Sequence, residues 1–459
     1  MPPDDSTAYS AFLKHKIPIV PSSGIEVSDD DIHPSLFPFQ RDLVRWSLRK
    51  GRSAIFATTG MGKTRMQVEW ARLTGGRVLF LSPLAVARQT IHEAADIGVE
   101  IVYARSQSDA GRLTITNYEM ADKFDASQFD AVVLDESSIL KSHDGKTRTR
   151  LIEQFSQTPF RLCCTATPAP NDTAKMANHA EFLGILSRVE MLSMFFVHDD
   201  EGWRLKGHAR DPFYRWLASW GMSLQRPSDL GYDDGAYQLP PLSINPVILP
   251  SEYVPPGQLF ATNLKGITDR SNVRKSTVTE RTNAAAALVN AMPDEPWIAW
   301  CGLNDEASKL ASLIPGSVNV EGSQSPEVKA DALTRFANGD IRVLITKPSI
   351  AGFGMNFQHC ANMVFVGLGD SYEQYFQAIR RCYRFGQERP VTAHIVLTEP
   401  EEAIFQNVLR KEREATAMAE ELVKHVAAYE RAEIGHVSQT ASYEPSVTMI
   451  VPSWIGVTA

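Results

Sequence analysis

Short apolar runs alternate with amphipathic stretches along most of the chain. In the first half, we predict strands over residues 54–57, 78–82, 113–116, 131–134 and 161–165, because each run is short and rich in large apolar or β-branched residues. Helical periodicity separates several of them, at residues 66–73, 85–95 and 149–155. Strands that alternate with helices indicate an α/β fold with a parallel sheet and right-handed crossovers.

The alternation stops near residue 186 and resumes near residue 246. The intervening segment is rich in aromatic residues and ends in a Pro-Pro pair, so we predict a connector with helices of its own. Beyond it, the pattern predicts strands over 297–301, 341–346, 363–366 and 392–397, and helices over 282–292, 305–313, 325–337 and 371–381. A long amphipathic helix over 401–430 and one added strand at 447–451 complete the predicted elements.

This pattern divides the chain into five predicted parts. They are a lead-in (1–35), a first α/β unit (36–185), a helical connector (186–245), a second α/β unit (246–400), and a C-terminal helix with a tail (401–459). A length of 459 residues suits two to four domains at roughly 100–200 residues each.

Composition is typical of a water-soluble globular protein, with 43% hydrophobic and 22% charged residues. No apolar run reaches the roughly 18 residues of a membrane span, and the N-terminus, with Asp4 and Asp5, lacks the apolar core of a secretory signal. Five cysteines without a C-x-x-C pair favour reduced thiols. We therefore expect a cytoplasmic protein without membrane contact.

The strongest local motif lies at residues 57–64, which read ATTGMGKT between a predicted strand and a predicted helix. In this context Thr59, Gly60, Met61 and Gly62 place backbone N–H groups around phosphate oxygens, at a helix N-terminus that favours anions. Lys63 then reaches the β- and γ-phosphates and the Thr64 hydroxyl ligates Mg²⁺. A simple glycine-rich turn is the alternative, since Ala57 stands where the usual pattern begins with glycine.

A second motif supplies the carboxylates that such a loop requires. An apolar strand ends in Asp135 and Glu136, and we expect Asp135 to hold Mg²⁺ and Glu136 to activate the attacking water. Alone, the pair would suit a strand that ends in an acidic turn. Together with the phosphate loop, it predicts nucleoside triphosphate hydrolysis.

Further segments follow a known order. They are TATP at 165–168, SIAGFGMN at 349–356 and QAIRRCYRFGQ at 377–387. This series resembles the superfamily 2 helicases, and its last element is similar to the Swi/Snf-like branch of DNA translocases. The resemblance covers about residues 39–422 and implies two RecA-like lobes with ATP between them. The compact length is similar to that of small phage and bacterial members.

The resemblance also implies roles for single residues. It places adenine recognition on Gln40, nucleotide contacts on Gly352, Gly354 and Gln377, and arginine fingers at Arg381 and Arg384. It implies coupling or nucleic-acid contacts for Thr165, Thr167 and Asn356. Taken alone, the arginines would suit a solvated basic helix face. The chain departs from the family pattern at Ser138, where many relatives place Ala or His.

A net charge of −8 disfavours global attraction to nucleic acid, but a local basic track suffices for phosphate contacts. The candidate contacts are polar or basic residues that follow the motifs: Ser82, Asn117, Lys141, Lys146 and Arg148. A second basic cluster comprises Lys265, Arg270, Arg274 and Lys275. Trp203, Trp216 and Trp220 suit either base stacking or, more commonly, the connector's core.

The predicted function is an ATP-dependent motor that translocates on double-stranded DNA without sequence specificity. Its cofactors are ATP and Mg²⁺. Remodelling of branches or strands is a possible further activity. A strand-separating DNA or RNA helicase is the second hypothesis. A third, from another class, is an ATP-gated nucleic-acid-binding protein that does not move. A metabolic ATPase would need no second lobe with arginine fingers. Protein partners are not indicated.

Overall fold

The structure is a computed structural model that describes residues 19–141, 145–168, 173–199, 202–251, 267–351, 356–369 and 371–435. The predicted strand at 447–451 and the positions of Gly352 and Gly354 lie outside these ranges. The predicted α/β fold class is confirmed, because the described residues form two parallel sheets covered by helices.

The first sheet belongs to the N-terminal half. Its elements are α1 (Pro38–Lys50), β1 (Arg52–Ala57), α2 (Lys63–Leu73), β2 (Val78–Ser82), α3 (Leu84–Ala95), β3 (Val102–Tyr103), β4 (Leu113–Asn117), β5 (Ala131–Asp135), α4 (Lys146–Gln154), β6 (Phe160–Cys164) and α5 (Met176–Leu183). Within the described residues the strand order is β3-β4-β2-β5-β6-β1, and every pairing is parallel. The carboxyl ends of β1 and β5 therefore open on the same edge, where ligands bind in such sheets.

Side chains alternate between two buried faces along these strands. In β1, Ala54 and Phe56 join one hydrophobic cluster, whereas Ile55 and Ala57 join the cluster on the opposite face. A parallel sheet covered by helices on both sides buries both faces, which is why the strands read as continuous apolar runs in the sequence.

The segment after the first six strands contributes to the same lobe. It contains α6 (Arg188–Phe195), β7 (Phe196–Asp199), β8 (Gly202–Leu205), α7 (Arg210–Ala218) and β9 (Gly221–Leu224). β9 pairs with β1 in parallel and extends the first sheet. Trp216 and Trp220 are fully buried in that lobe's core, whereas Trp203 on the antiparallel β7–β8 hairpin is 41% exposed. Of the three tryptophans, only Trp203 is therefore accessible for base stacking.

The second sheet belongs to the C-terminal half. Its elements are β10 (Leu242–Leu249), α8 (Ile267–Ser276), α9 (Val278–Asn290), β11 (Trp297–Cys301), α10 (Asn304–Leu313), β12 (Val318–Asn319), α11 (Pro326–Ala337), β13 (Val343–Thr346), α12 (Pro348–Ala351), β14 (Asn362–Val366), α13 (Tyr372–Ile379), β15 (Val391–Thr398) and α14 (Glu402–Ile434). The parallel order in this part of the chain is β10-β15-β14-β11-β13-β12.

The long helix α14 packs against both lobes. Ile404, Phe405 and Val408 lie in the second lobe's core, whereas Leu422 and Val426 lie in the core of the first. Near the end of the helix, Glu433 forms an ion pair with Lys50, with 2.9 Å between Oε2 and Nζ. The helix therefore ties the end of the second lobe back to the first.

No helix among the described residues combines the length and the apolar character that crossing a bilayer requires.

Candidate active site between the lobes

The phosphate loop is the turn between β1 and α2. Gly60 and Gly62 have φ values of 90° and 77°, a left-handed conformation that glycine adopts without steric cost. A Cβ on Gly62 would lie 2.3 Å from Gln40 Nε2, so a larger residue there would also displace the Gln40 amide. The local sequence thus forms a tight turn at the N-terminus of α2.

Lys63 begins α2 and points back into this turn. Its Nζ donates hydrogen bonds to the carbonyl oxygens of Ala57 at 2.9 Å and Thr58 at 3.2 Å. Burial lowers the pKa of Lys63, while the nearby carboxylates of Glu136 and Asp135 oppose that shift. The ammonium is therefore placed at the turn with two carboxylates as its electrostatic partners.

Gln40 fixes the loop from the other side. Its Oε1 accepts a hydrogen bond from the Phe37 backbone at 3.0 Å, and its Nε2 donates to the Met61 carbonyl at 2.9 Å. Nε2 also lies 3.4 Å from Tyr237 Oη. Gln40 thereby joins the start of α1 to the phosphate loop, next to the position predicted for the base.

Asp135 is the last residue of β5, which β6 separates from β1 in the sheet, and Glu136 follows it directly. Asp135 Oδ1 accepts from Gln67 Nε2 at 2.8 Å, and the Asp135 carbonyl accepts from Tyr118 Oη at 2.7 Å. Burial is the main cause of a raised pKa at both Asp135 and Glu136, and Lys63 opposes it in each case. Lys63 therefore favours the charged form of both carboxylates, and the Gln67 hydrogen bond favours that of Asp135.

The second lobe contributes the two predicted arginine fingers. Arg381 Nη2 donates to Gln377 Oε1 at 2.9 Å and its Nε donates to the Gln377 carbonyl at 3.1 Å, so Gln377 holds this guanidinium in place. Arg384 Nη1 donates to Asn356 Oδ1. Burial lowers the pKa of both arginines, yet arginine stays charged at neutral pH.

These groups line one cleft between the lobes, with a cavity volume of about 320 Å³. The predicted residues that line it are Gln40, Thr59, Gly60, Gly62, Lys63, Thr64, Asp135, Glu136, Asn356, Arg381 and Arg384. Thr59 Oγ1 is buried and finds no hydrogen-bond partner among the described residues. A cationic cleft with an unsatisfied hydroxyl in its glycine-rich turn fits a triphosphate and its Mg²⁺.

Several residues of the cleft were missed by sequence reasoning. They are Ser35, Phe37, Arg65, Val86, Gln89, Glu93, Tyr237, Gln358 and Phe385. Tyr237 and Phe385 have ring centroids 4.6 Å apart, and Phe37 packs edge-on against both, at 5.5 Å and 6.0 Å. These three rings come from distant segments of the chain and meet beside Gln40. Only Phe385 lies within a recognised motif, the segment at 377–387, so only its place near the site was indicated by the sequence.

Of the predicted coupling residues, Thr165 and Thr167 do not line this cleft. Thr165 is fully buried, and its hydroxyl accepts from the Thr167 backbone at 3.2 Å. Thr167 lines a separate cavity of about 160 Å³, whose other walls include Tyr372 and Arg380 from the second lobe and Leu422 from α14. Thr167 is thus at a second place where the lobes meet.

The predicted nucleic-acid contacts are only partly brought together. Ser82 and Asn117 are register partners at the ends of β2 and β4, but both are buried, and the Asn117 amide donates to Glu119. Lys146 is exposed and Arg148 half-buried in the first turn of α4. In the second basic cluster, Arg274 forms an ion pair with Glu306 at 3.4 Å. Their roles on nucleic acid stay predictions.

Comparison with known proteins agrees with the second-lobe motifs. Residues 289–386 match the family described as Helicase conserved C-terminal domain. A 109-residue stretch is 37% identical to the DNA repair protein rad8 of Schizosaccharomyces pombe, covering 23% of this chain and 10% of rad8. The chain thus spans about a tenth of the length of that relative.

Among solved structures, the chain is similar to a Sulfolobus solfataricus SWI2/SNF2 ATPase core in complex with double-stranded DNA. The TM-score is 0.43 at 15% identity, over 89% of this chain and 99% of that one. The family match and the rad8 similarity confirm the predicted resemblance to the Swi/Snf-like superfamily 2 helicases.

Proposed function

We propose that this chain is a superfamily 2 helicase of the Swi/Snf-like type and acts as an ATP-dependent motor that translocates on double-stranded DNA. One observation carries the proposal: Lys63, Asp135 and Glu136 from the first lobe face Arg381 and Arg384 from the second across a single cleft. A metabolic ATPase would not need to divide its catalytic groups between two lobes.

Hydrolysis would use these groups in distinct roles. Glu136 accepts a proton from the attacking water, and Lys63 exchanges its two carbonyl partners for phosphate oxygens. Thr64 and Asp135 are the residues that would hold Mg²⁺, which neutralises phosphate charge when bound. The arginines stabilise charge that develops on the γ-phosphoryl oxygens, an effect typically worth about 10³–10⁵ in rate.

Because the fingers come from the second lobe, hydrolysis requires the lobes to be closed. Opening and closing of two lobes that both grip a nucleic acid would convert each ATP cycle into movement along it. The similarity to rad8, which is named as a DNA repair protein, supports DNA rather than RNA. Lys146 has an exposed side chain, and a lysine suits contacts with the phosphate backbone of a nucleic acid rather than with its bases.

A strand-separating helicase is the second candidate. The observation that favours it is the β7–β8 hairpin, which carries Trp203 with 41% of its surface exposed and His198 packed edge-on at 4.9 Å. An exposed aromatic ring on a hairpin is able to stack on an unpaired base.

Steady-state ATP turnover with and without nucleic acid tests the proposal. We expect duplex DNA to stimulate turnover several-fold, with single-stranded DNA and RNA less effective. Lys63→Ala should abolish the activity, while Lys123→Ala, an exposed lysine outside the cleft, should leave it unchanged. Turnover that is indifferent to every nucleic acid would refute the motor.

A further inference from the structure

The residues at the end of β5 and directly after it contact α2, α5 and the second lobe. Asp135 is held by Gln67 of α2 at 2.8 Å. Ser137 Oγ lies 3.1 Å from His179 Nε2 of α5, and both residues are fully buried. This short segment is therefore anchored to two helices of the first lobe before it reaches Ser138.

Ser138 makes a contact of a different kind, because its partner belongs to the other lobe. Its Oγ donates a hydrogen bond to Glu373 Oε1 at 3.2 Å. A hydroxyl has a short reach and binds only an acceptor brought directly against it, so the contact requires the lobes to be close.

Glu373 is in turn rigidly placed. It lies in the first turn of α13, where Ser371 caps the helix by accepting from the Gln374 backbone at 3.3 Å. The same helix leads directly to Arg381 and Arg384. Glu373 and the arginine fingers therefore move together when the second lobe moves.

We propose that the Ser138–Glu373 hydrogen bond is a latch that holds the lobes in register, so that Glu136 and the arginine fingers face each other. Glu373 is then a positioning residue for the reaction assigned above, and its role rests on that proposed function. Since its acceptor is a carboxylate, the bond is stronger than one between neutral groups. Its loss should therefore favour open arrangements of the lobes.

A double-mutant cycle on the lobe arrangement provides the test. The variants are Ser138→Ala, Glu373→Ala and the double variant, with Ser138→Thr as the conservative replacement that keeps the hydroxyl. Dyes on Ser108→Cys and Asn338→Cys, exposed sites on the two lobes, report closure by energy transfer, because the five native cysteines are buried. The measurement uses the full chain without nucleotide and with a non-hydrolysable ATP analogue plus duplex DNA.

Each single Ala variant should lower the closed-to-open ratio about tenfold, as expected for a hydrogen bond to a charged group. The closed-to-open ratio of the double variant should be no lower than that of either single variant. The ratio of Ser138→Thr should stay within about twofold of the wild type. Gln374→Ala, an exposed neighbour on α13, is the matched control and should have no effect. Unchanged closure, or two single effects that multiply in the double variant, would overturn the latch.

Turnover measured on the same proteins separates the latch from the proposed function. We expect the Ala variants to lower the DNA-stimulated kcat about tenfold while the KM for ATP stays within about twofold, because the bond acts through closure and not through ATP contacts. If the wild type hydrolysed no ATP and the closure cycle still showed the pattern above, the latch would stand and the motor would fail. An active wild type with an unchanged closure cycle would instead refute the latch and leave the motor standing.

Discussion

Glu136 is held in an uncommon backbone conformation. Among the described residues it is the one non-glycine residue with a positive φ, at 52°, next to Asp135 at the end of β5. Such conformations cost free energy and cluster at functional sites. The turn aims the Glu136 carboxylate into the cleft, while Asp135 is held by Gln67.

We predict that Glu136→Gln nearly abolishes ATP turnover and leaves ATP binding intact. The amide keeps the shape of the side chain but cannot accept the proton from water. Fluorescent-nucleotide titration and steady-state turnover separate the two effects, with Glu153→Gln, an exposed residue outside the cleft, as the control. Turnover within about tenfold of the wild type would exclude Glu136 as the general base.

Tyr237 carries a prediction about nucleotide binding. Its ring packs against Phe385 and Phe37 beside Gln40, so we expect the ring to form a wall of the base site. Tyr237→Ala should weaken ATP binding about tenfold, because an aromatic contact and its buried area are both lost. Tyr237→Phe should bind within about threefold of the wild type, since the 3.4 Å contact with Gln40 is long. Equal affinity in the Ala variant would place the base elsewhere.

At the level of residues, the sequence predicted the parts of the site that have fixed spacing. The phosphate loop, Asp135 and Glu136, and Arg381 and Arg384 all lie within motifs, and the structure brings them to one cleft. Gln67, Tyr237 and Glu93 could not be found in the same way. Each lies outside a motif and reaches the site only through tertiary packing.

At the level of elements, α14 contains a buried carboxyl that makes its docking sensitive to pH. Glu430 is fully buried, and its Oε1 accepts from the Ser223 backbone of β9 at 2.6 Å. Its Oε2 has no hydrogen-bond partner among the described residues. Burial raises the pKa of Glu430 well above its ordinary value.

A raised carboxyl pKa means that the folded protein binds the proton more tightly than the unfolded chain. Ionisation of the buried Glu430 carboxyl therefore lowers the free energy of unfolding. This loss is absent below the ordinary pKa of 4.5 and grows as pH rises through the pKa of the folded protein. We predict that Glu430→Gln raises the Tm at pH 8, and raises it by a smaller amount at pH 5. Thermal melts at both pH values check this, and an equal or opposite change would contradict it.

Strands were predictable where burial on both faces produced apolar runs. The predicted runs at 78–82 and 297–301 coincide with β2 and β11. β3 and β12 have two residues each and leave no periodic signal. β10 was not predicted. It contains Pro246, and it is an edge strand in which a missing N–H is tolerated.

At the level of the whole molecule, the two lobes meet around the cleft and α14 packs against both of them. Net charge does not describe the cleft, because an acidic total of −8 coexists with Lys63, Arg381 and Arg384 in its walls, beside Asp135 and Glu136. The division of the chain into a connector and two lobes stays a prediction at its boundaries. β9 of the predicted connector belongs to the first sheet, and β10 begins the second.

Triplex displacement tests the central claim most directly. A third strand annealed to duplex DNA is released only if the protein moves along the duplex and pushes it off. We predict ATP-dependent release by the wild type, none with a non-hydrolysable analogue or with Glu136→Gln, and no separation of a forked duplex under the same conditions. Fork unwinding would favour the helicase hypothesis instead. DNA-stimulated ATP turnover without any release of the third strand would contradict translocation.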